Sequence, residues 1–513
     1  MRLLRVLLAI AAVIALFVVG MRIAFPLPDE NFASTETRSE PQWDTNLGQA
    51  IKSAVEAHSD LNGLRPLTDG RDAFAARALL ARTAQNSIDA QYYIWQHDTT
   101  GLMLLDELRT AAERGVRVRL LVDDNGVGGL DQKLAELDAI PSAQVRIFNP
   151  FTLRKPKLVS YLFDFKRLNR RMHNKSMTVD GVTTIVGGRN IGDIYFAFGE
   201  GAHYFDVDTI AIGPIVDDVS AAFDTYWNSG SAYDADLILA SVWEPSIKAD
   251  ADKARATALG AGYREAIEEH EFVQDLIDRS IEFEWGKARL LVDDPVKGLG
   301  QATDDQLVVT QLFELLEAAK SSIDLVSAYF IPGERGTDTL TTAARSGVRT
   351  RVLTNSYDST DVMPVHAGYI RYRDDLISSG VEVLELRAMR EEHAERTLSQ
   401  ILAGSASGLH AKVFGIDETK AFIGSFNLDP RSAQLNTEMG ILVDSPTIAK
   451  FLSNLLEAPT FAYQVAHTVD GDTVWVQYDE NGPTRTFANE PNSTAFQRGL
   501  LWFVGLLPVE WML

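Results

Sequence analysis

Cysteine is missing altogether from the 513 residues. Its absence excludes disulfides, thiolate metal sites and a cysteine nucleophile, and removes redox chemistry as a guide to the compartment. Positive charge is in short supply: 48 Lys and Arg face 71 Asp and Glu, for a net charge of −23. A protein that coats nucleic acid by bulk attraction needs the opposite balance, although a local basic patch can still hold phosphate. Histidine is rare, nine in all, so one placed in a patterned segment carries information. Apolar runs near membrane-spanning length are confined to the N-terminus. The rest is ordinary. An apolar fraction of 46% and a charged fraction of 23% suit a globular protein with an ample core. The length suits two or three domains, or one large domain built from two halves.

Arg2 and Arg5 precede an apolar run from Val6 to Met21, carried past Arg22 by Ile23, Ala24 and Phe25. A span needs about 20 residues, which the run reaches if Arg22 snorkels to the interface. No small-residue cleavage site stands out after it. Residues 1–25 therefore read as a retained membrane anchor, with a cleaved signal peptide as the alternative. The leading arginines predict a cytoplasmic N-terminus and a globular body on the far side. Residues 26–50, with the polar stretch "STETRSEPQWD", read as a linker.

The body repeats itself. "SIDAQYYIWQ" (Ser87–Gln96) is answered 235 residues on by "SIDLVSAYFI" (Ser322–Ile331), and "GVRVRLLVDD" (Gly115–Asp124) 232 residues on by "GVRTRVLTNS" (Gly347–Ser356). Landmarks that keep their order and separation indicate a duplicated domain and not an array of short repeats. In each copy a helical segment leads into a β-rich run, and a second helix ends at Gly before the next strand. This alternation predicts α/β domains, each with a largely parallel sheet and helices on both faces. The expected division is a first domain over 51–240, a polar helical connector over 241–300, a second domain over 301–480 and an amphipathic tail over 481–513.

Two short stretches share a finer pattern. "MHNKSMTVD" contains His173, Lys175 and Asp180, followed six residues later by "GGRN" ending at Asn190. "LHAKVFGID" contains His410, Lys412 and Asp417, followed six residues later by "GSFN" ending at Asn427. Five fixed residues recur by chance on the order of once in millions of positions, and two copies at the repeat offset are no accident. In a strand, residues i and i+2 share a face, so each His projects with its Lys. The Gly turn permits close backbone approach, and the Asn that follows can donate amide hydrogens to a phosphate oxygen. If the copies pack about a pseudo-two-fold axis, two His, two Lys and two Asn converge on a site suited to a phosphodiester. The ammonium groups neutralise the phosphoryl oxygens as charge shifts. One imidazole attacks phosphorus and the other protonates the leaving oxygen. Such chemistry calls for no metal.

These residues resemble the phospholipase D superfamily, whose hallmark is the duplicated His-Lys-Asp motif. The resemblance implies two α-β-α sandwich domains packed as a pseudo-two-fold pair. It implies that His173 becomes a phosphohistidine and that His410 is the general acid. It also implies that Asp180 and Asp417 are structural, and that an acidic residue further along orients each histidine. "YFDVD" and "NTEMG" offer Asp206 and Glu438 for that task; such a partner fixes the tautomer and stabilises the imidazolium. The stretches "IVGGRNIGDIYF", "FDTYWNS", "VHAGYIRYR" and "LLPVEWML" narrow the resemblance to bacterial phosphatidyltransferases of the cardiolipin synthase C type, at the inner membrane. That implies phosphatidyl transfer between two lipids, with phosphatidylglycerol as acceptor, phosphatidylethanolamine as a further candidate substrate, and no cofactor. Water in place of the alcohol gives a phospholipase D reaction. One departure is Ala328 in "SAYFIPG", where proline is expected.

Other features have competing readings. The segment Arg154–Lys175 holds eight basic residues and one acid, Asp164. Its position beside His173 favours contact with anionic lipid headgroups over a solvated helix face. "GLLWFVGLLPV" (Gly499–Val509) is too short to span a bilayer. It reads as an interfacial helix with Trp502, Phe503 and Trp511 at headgroup level, or otherwise as a core helix. His366 reads as a structural histidine, and Asp123 and Asp124 as capping or loop residues. Two rival functions stand behind the first. A nucleic-acid phosphodiesterase of the same fold is disfavoured by the net charge and the apolar anchor, so nucleic acid is not an expected partner. An inactive scaffold or lipid-binding module is disfavoured by intact motifs in both copies.

Overall fold

The computed structural model describes all residues but 1, 30, 34, 39, 198–202, 243, 270–280, 389–407, 458–459, 480–481, 508–509 and 513. A helix over Arg2–Ala24 leads the chain. Its stretch Leu4–Ala24 is long and apolar enough to cross a membrane and packs none of that surface inside the protein. The residues after it run along the first half of the body. Asn31 Nδ2 donates to the carbonyls of Ser229 and Ala232, and the Arg38 backbone N–H to Asp224.

Two mixed sheets form the body. The strands of the first lie in the order Glu284–Gly286, Asn62–Leu67, Asp208–Ile212, Thr183–Gly187, Ser176–Val179, Ser87–Ile94, Arg117–Gly126, Ala143–Phe148 and Ala232–Asp234. Those of the second lie in the order Ala288–Val292, Met439–Asp444, Lys420–Gly424, Lys412–Ile416, Ser322–Ser327, Arg349–Asn355, Glu382–Leu386, Ala462–His467, Thr473–Asp479 and Gly482–Phe487. The chain crosses from the edge of one sheet to the edge of the other within residues 284–292. Part of the expected connector is thus sheet. Its helices Ile247–Arg255 and Ala258–Glu269 pack Ile247, Ala254 and Tyr263 onto the first half.

Each half has one parallel centre of three strands. Among the described residues, every other pairing in the two large sheets is antiparallel. This corrects the expectation of largely parallel sheets. The parallel strands are linked by helical crossovers such as Thr99–Glu113 and Gly333–Arg345. Each motif strand instead turns straight into its neighbour, Ser176–Val179 into Thr183–Gly187 and Lys412–Ile416 into Lys420–Gly424, and so short a loop admits only an antiparallel partner.

Side chains on the strands alternate between two cores. In the first half Ile88, Ala90, Tyr92, Val118 and Leu120 pack outward against the helices Gly70–Thr83 and Thr99–Glu113. In the second, Ile323, Leu325, Val352, Phe414 and Phe422 pack outward against Val308–Glu317. The opposite faces meet: Val186 and Ala211 join Val326, Leu353, Val413, Ile423 and Ile441 in one core shared by both halves. Helices cover the outer faces, while the inner faces meet each other together with helices Ile215–Trp227 and Pro446–Leu455, which add Ile215, Val219, Ile448 and Leu452 to the shared core. Full burial of a Val, Leu or Ile contributes about 1.5–3 kcal/mol, so a shared core of this kind binds the halves into one body and brings their motif strands together.

Candidate active site

The motif aspartates are built into the turns behind the strands. Asp180 Oδ1 accepts the backbone N–H groups of Gln85, Asn86 and Ser87. Asp417 Oδ1 accepts those of Lys320, Ser321 and Ser322. Both residues adopt positive φ, 52° and 54°, a conformation that Asp tolerates better than most side chains. Each ties the motif hairpin to the start of its half's central strand.

The histidines are clamped across the halves. The His173 N–H donates to the carbonyl of Thr437 at 2.9 Å, and its Nδ1 lies 2.8 Å from Oε2 of the next residue, Glu438. The His410 N–H donates to the carbonyl of Phe205 at 2.8 Å, and its Nδ1 lies 2.5 Å from Oδ2 of the next residue, Asp206. The same two-point clamp is made twice, each time with the carboxylate supplied by the other half. With Nδ1–H held by a carboxylate, Nε2 of each ring carries the lone pair or the transferable proton. Both rings are largely buried, His173 at 7% and His410 at 6% exposed.

Lys175 and Lys412 are buried beside them. Lys175 Nζ donates to His173 O at 2.6 Å, and Lys412 Nζ donates to His410 O. An ammonium has three donors, so each keeps some for a ligand. Burial lowers Lys175 to about 7 against the pull of Glu438, and burial lowers Lys412 against the pull of Asp206. Burial also pushes His173 well below its ordinary range, aided by Lys175, Lys412 and His410. His410 is lowered by burial and by Lys412, but Asp206 pulls it back up. Burial alone would raise Asp206; His410, Lys412 and Arg189 outweigh it and hold the carboxyl well below the usual range. Glu438 goes the other way, raised by burial to about 7 despite Lys175. Two histidines alike in sequence thus differ in charge setting. One sits beside a near-neutral acid, the other beside a firm carboxylate. Burial lowers both lysines, and a bound anion favours their charged form.

The asparagines and glycines complete the frame. Asn190 Oδ1 accepts the Ile94 N–H and Asn427 Oδ1 accepts the Tyr329 N–H. Each amide nitrogen is thereby left as the donor. Gly188 leaves room for the carboxylate that serves His410, since a Cβ there would lie 2.2 Å from Asp206 Oδ1. At the matching place in the second motif Ser425 donates to Glu438 Oε2 at 2.5 Å.

Comparison with known proteins matches this geometry to a family. The family described as "Cardiolipin synthase, PLD-like domain" matches twice, over residues 79–227 and 312–458. The chain is 42% identical to cardiolipin synthase C of Escherichia coli K12 over 91% of its own length and 99% of that protein. The chain belongs to the phospholipase D-like cardiolipin synthase family. It is 25% identical to the major cardiolipin synthase of Bacillus subtilis over 79% of its length and 71% of that protein. Among solved structures, phosphatidylserine synthase of Haemophilus influenzae shares the fold, with a TM-score of 0.59 at 15% identity, covering 90% of this chain and all of that one.

In this family member the basic segment before His173 serves mainly the protein itself, which corrects the expectation that it contacts headgroups. Arg154 and Lys157 pair with Asp124, Arg167 with Asp164, and Arg171 with Asp123. Arg170 donates to the carbonyls of Lys297 and Gln434. Lys155 and Lys166 are left exposed. Asp123 and Asp124, read as loop residues, are the posts on which the approach to His173 is hung. Asp123 also accepts the Met172 N–H, and Asp124 the Phe151 N–H. Asp293 was not singled out in the sequence. It accepts the N–H groups of Glu438 and Val308 and pairs with Lys297. Burial raises it to about 6. Its only sequence signal is an "LVDD" (Leu291–Asp294) that repeats the "LVDD" (Leu121–Asp124) of the first half. His366 lies in a buried cluster with Glu385 and Glu490, whose ligand atoms fall within 4.8 Å of one another. Arg373 is bonded to both carboxylates, so a cation already occupies that position and the cluster is structural.

Proposed function

We propose that the chain transfers a phosphatidyl group from one phospholipid to the hydroxyl of phosphatidylglycerol, making cardiolipin. The observation that carries this reading is the pair of buried ammonium groups beside two imidazoles, each imidazole held by a carboxylate from the opposite half. His173, kept neutral, attacks phosphorus through Nε2. The bond from phosphorus to the headgroup alcohol breaks, and His410 gives that oxygen its Nε2 proton. The phosphatidyl group is then held on His173. Neutral His410 next takes the proton of the phosphatidylglycerol hydroxyl as that oxygen attacks phosphorus, and the P–N bond breaks. Lys175, Lys412, Asn190 and Asn427 hold the non-bridging oxygens throughout. Asp206, kept ionised, favours the imidazolium on His410, as a proton carrier needs.

The reaction belongs at a membrane surface. The end of the N-terminal helix is fastened to helix Tyr161–Leu168: Arg22 Nε donates to Phe163 O at 2.8 Å, and Phe25 stacks on Phe163. Around that joint Leu158, Leu162 and Phe165 are exposed, and Trp511 packs edge-on against Phe165. The C-terminal helix Ala495–Gly505 buries Leu501 and turns Trp502 and Phe503 outward, 69% and 56% exposed. These rings and aliphatic chains suit a body seated on the bilayer beside its own anchor. The leading arginines favour the outer, periplasmic side of the bacterial inner membrane.

The test incubates detergent-solubilised protein with phosphatidylglycerol, alone and with phosphatidylethanolamine, and separately with DNA. Cardiolipin formation that vanishes in His173→Ala is the expected result. Phosphatidic acid alone makes the enzyme a phospholipase D. DNA cleavage without lipid turnover replaces the reading with that of a nuclease.

A further inference from the structure

The two histidines differ in a second respect, at the aromatic side chains around their rings. Tyr93 meets the His173 ring edge-on at 5.0 Å. Asn125 Nδ2 donates to the Tyr93 hydroxyl at 3.2 Å, and the Tyr161 hydroxyl donates to Asn125 Oδ1 at 3.3 Å. On the other side the Tyr204 ring stacks on His410 at 5.2 Å. The hydroxyls of Tyr204 and Tyr329 both donate to Asp361 Oδ2 at 2.9 Å. Tyr329 is also the residue whose N–H holds the motif Asn427. Each histidine therefore meets a tyrosine whose hydroxyl is tied through one polar side chain to a second tyrosine, and Tyr195 also meets the His410 ring edge-on. The bridge is a neutral amide beside His173 and a carboxylate beside His410.

A carboxylate close to a phosphate site is unfavourable unless it serves something else. Asp361 is only half-buried, and its Oδ1 takes no hydrogen bond from any described residue. The position of the alcohol says what it serves. In an in-line displacement the entering and leaving atoms of each step lie on opposite sides of phosphorus. With His173 as nucleophile, the leaving headgroup and later the incoming one both lie on the His410 side. From this, and resting on the transfer reaction above, we infer that Asp361, held by Tyr204 and Tyr329, recognises the headgroup alcohol through a second hydrogen-bond donor near the reacting oxygen. That donor is a further hydroxyl in a glycerol headgroup or an ammonium in an ethanolamine headgroup. An alcohol without such a donor, or water, has nothing to offer Oδ1. The carboxylate thus selects among alcohols and raises transfer relative to hydrolysis.

The test supplies purified full-length protein with phosphatidylglycerol in mixed micelles and with competing soluble acceptors: deuterated glycerol, whose transfer product differs from the substrate in mass, ethanolamine and 1-propanol. The products give the ratio of transfer to each donor-bearing alcohol over transfer to 1-propanol. Asp361→Asn is expected to lower that ratio about tenfold, within the range of a lost hydrogen bond to a charged group. A fall in the glycerol arm names the hydroxyl as the ligand, and a fall in the ethanolamine arm names the ammonium. Tyr204→Phe, which keeps the ring on His410 and removes one support of Asp361, is expected to lower the ratio in the same direction by a smaller factor. It carries the test if Asp361→Asn does not fold. Wild-type ratios in both variants, or a proportional loss on all three alcohols, overturn the assignment while leaving the transferase intact. A wild type that makes cardiolipin but transfers to none of the three overturns this assignment alone; one that makes no cardiolipin either overturns the transferase reading with it.

Discussion

Asp206 and Glu438 stand in the same relation to their histidines, yet the charge each carries predicts different mutational behaviour. Asp206 is held ionised and Glu438 is raised to about 7. Replacing Asp206 by Asn removes a buried carboxylate that stabilises the His410 imidazolium, so the pKa of His410 falls. If His410 must be protonated for the first step, the alkaline limb of kcat/KM then moves to lower pH. A hydrogen bond to a charged group contributes about 1.5–3 kcal/mol, and one pH unit corresponds to about 1.4 kcal/mol. The expected displacement is therefore about one to two units in a pH–rate profile, with kcat down at least 100-fold, the usual scale for losing a general acid. Glu438→Gln removes a charge that is already weak and keeps an oxygen facing Nδ1, so a loss below about tenfold is expected. Equal losses in the two variants, or an alkaline limb that stays in place, contradict the division of roles. Gly188→Ala is a third test at this scale. Its methyl would meet Asp206 Oδ1 at 2.2 Å and displace that carboxylate from His410, so it is expected to shift the profile in the same direction as Asp206→Asn without removing a charged group.

At the scale of elements, the motif hairpins are held from behind by Asp180 and Asp417. Asp180→Ala leaves three backbone N–H groups with no acceptor, a loss of about 2–4 kcal/mol at the usual cost of unmade hydrogen bonds. A melting temperature several degrees lower, measured beside an activity loss smaller than that of His173→Ala, is the expected pairing for a residue that carries no chemistry. This is also where the sequence was readable and where it stopped. The Gly turn with its Asn and the Ser-Ile-Asp strand starts are local patterns, and those elements appear where the pattern puts them; His173 and Lys175 instead lie just ahead of strand Ser176–Val179, and His410 just ahead of Lys412–Ile416. Asp206 and Glu438 were legible as acids in the right place. Their crossing to the opposite half was not, because it depends on how two sheets meet face to face. The basic run before His173 looked free for a ligand because its partners, Asp123, Asp124 and Asp131, lie more than twenty residues upstream on other elements. The mostly antiparallel order was hidden for a similar reason. Helical crossovers leave a strong periodic trace, while the three-residue turns at Asp180 and Asp417 leave almost none.

The whole molecule makes one site from two halves of a single chain, and two consequences follow from that. Co-expressing His173→Ala with His410→Ala is expected to restore no activity, since each clamp joins residues 173 and 438, or 410 and 206, within one chain; recovered cardiolipin synthesis would mean that halves are exchanged between molecules. The second consequence concerns how lipid reaches the buried histidines. On the membrane-seated reading proposed above, the N-terminal helix tethers the body near the bilayer, but one helix does not set orientation. Orientation needs a second contact; Leu162, Phe165 and Trp511 supply exposed apolar surface around the joint where the N-terminal helix meets the body, and Trp502 and Phe503 supply more on the C-terminal helix. Seating one such side chain in the interface is worth up to about 1.5–3 kcal/mol, comparable to what separates a loosely tethered body from a seated one. Leu162→Glu combined with Trp502→Glu in the full-length chain removes two of these contacts and adds charge that repels anionic lipid. The anchor still holds the variant in the membrane. Turnover of lipid in bilayers is expected to fall at least fivefold relative to turnover of the same lipid in mixed micelles, where no flat surface has to be met. An unchanged bilayer-to-micelle ratio would mean that the apolar surface faces something other than lipid, and that substrate is lifted to the site with the anchor as the only attachment.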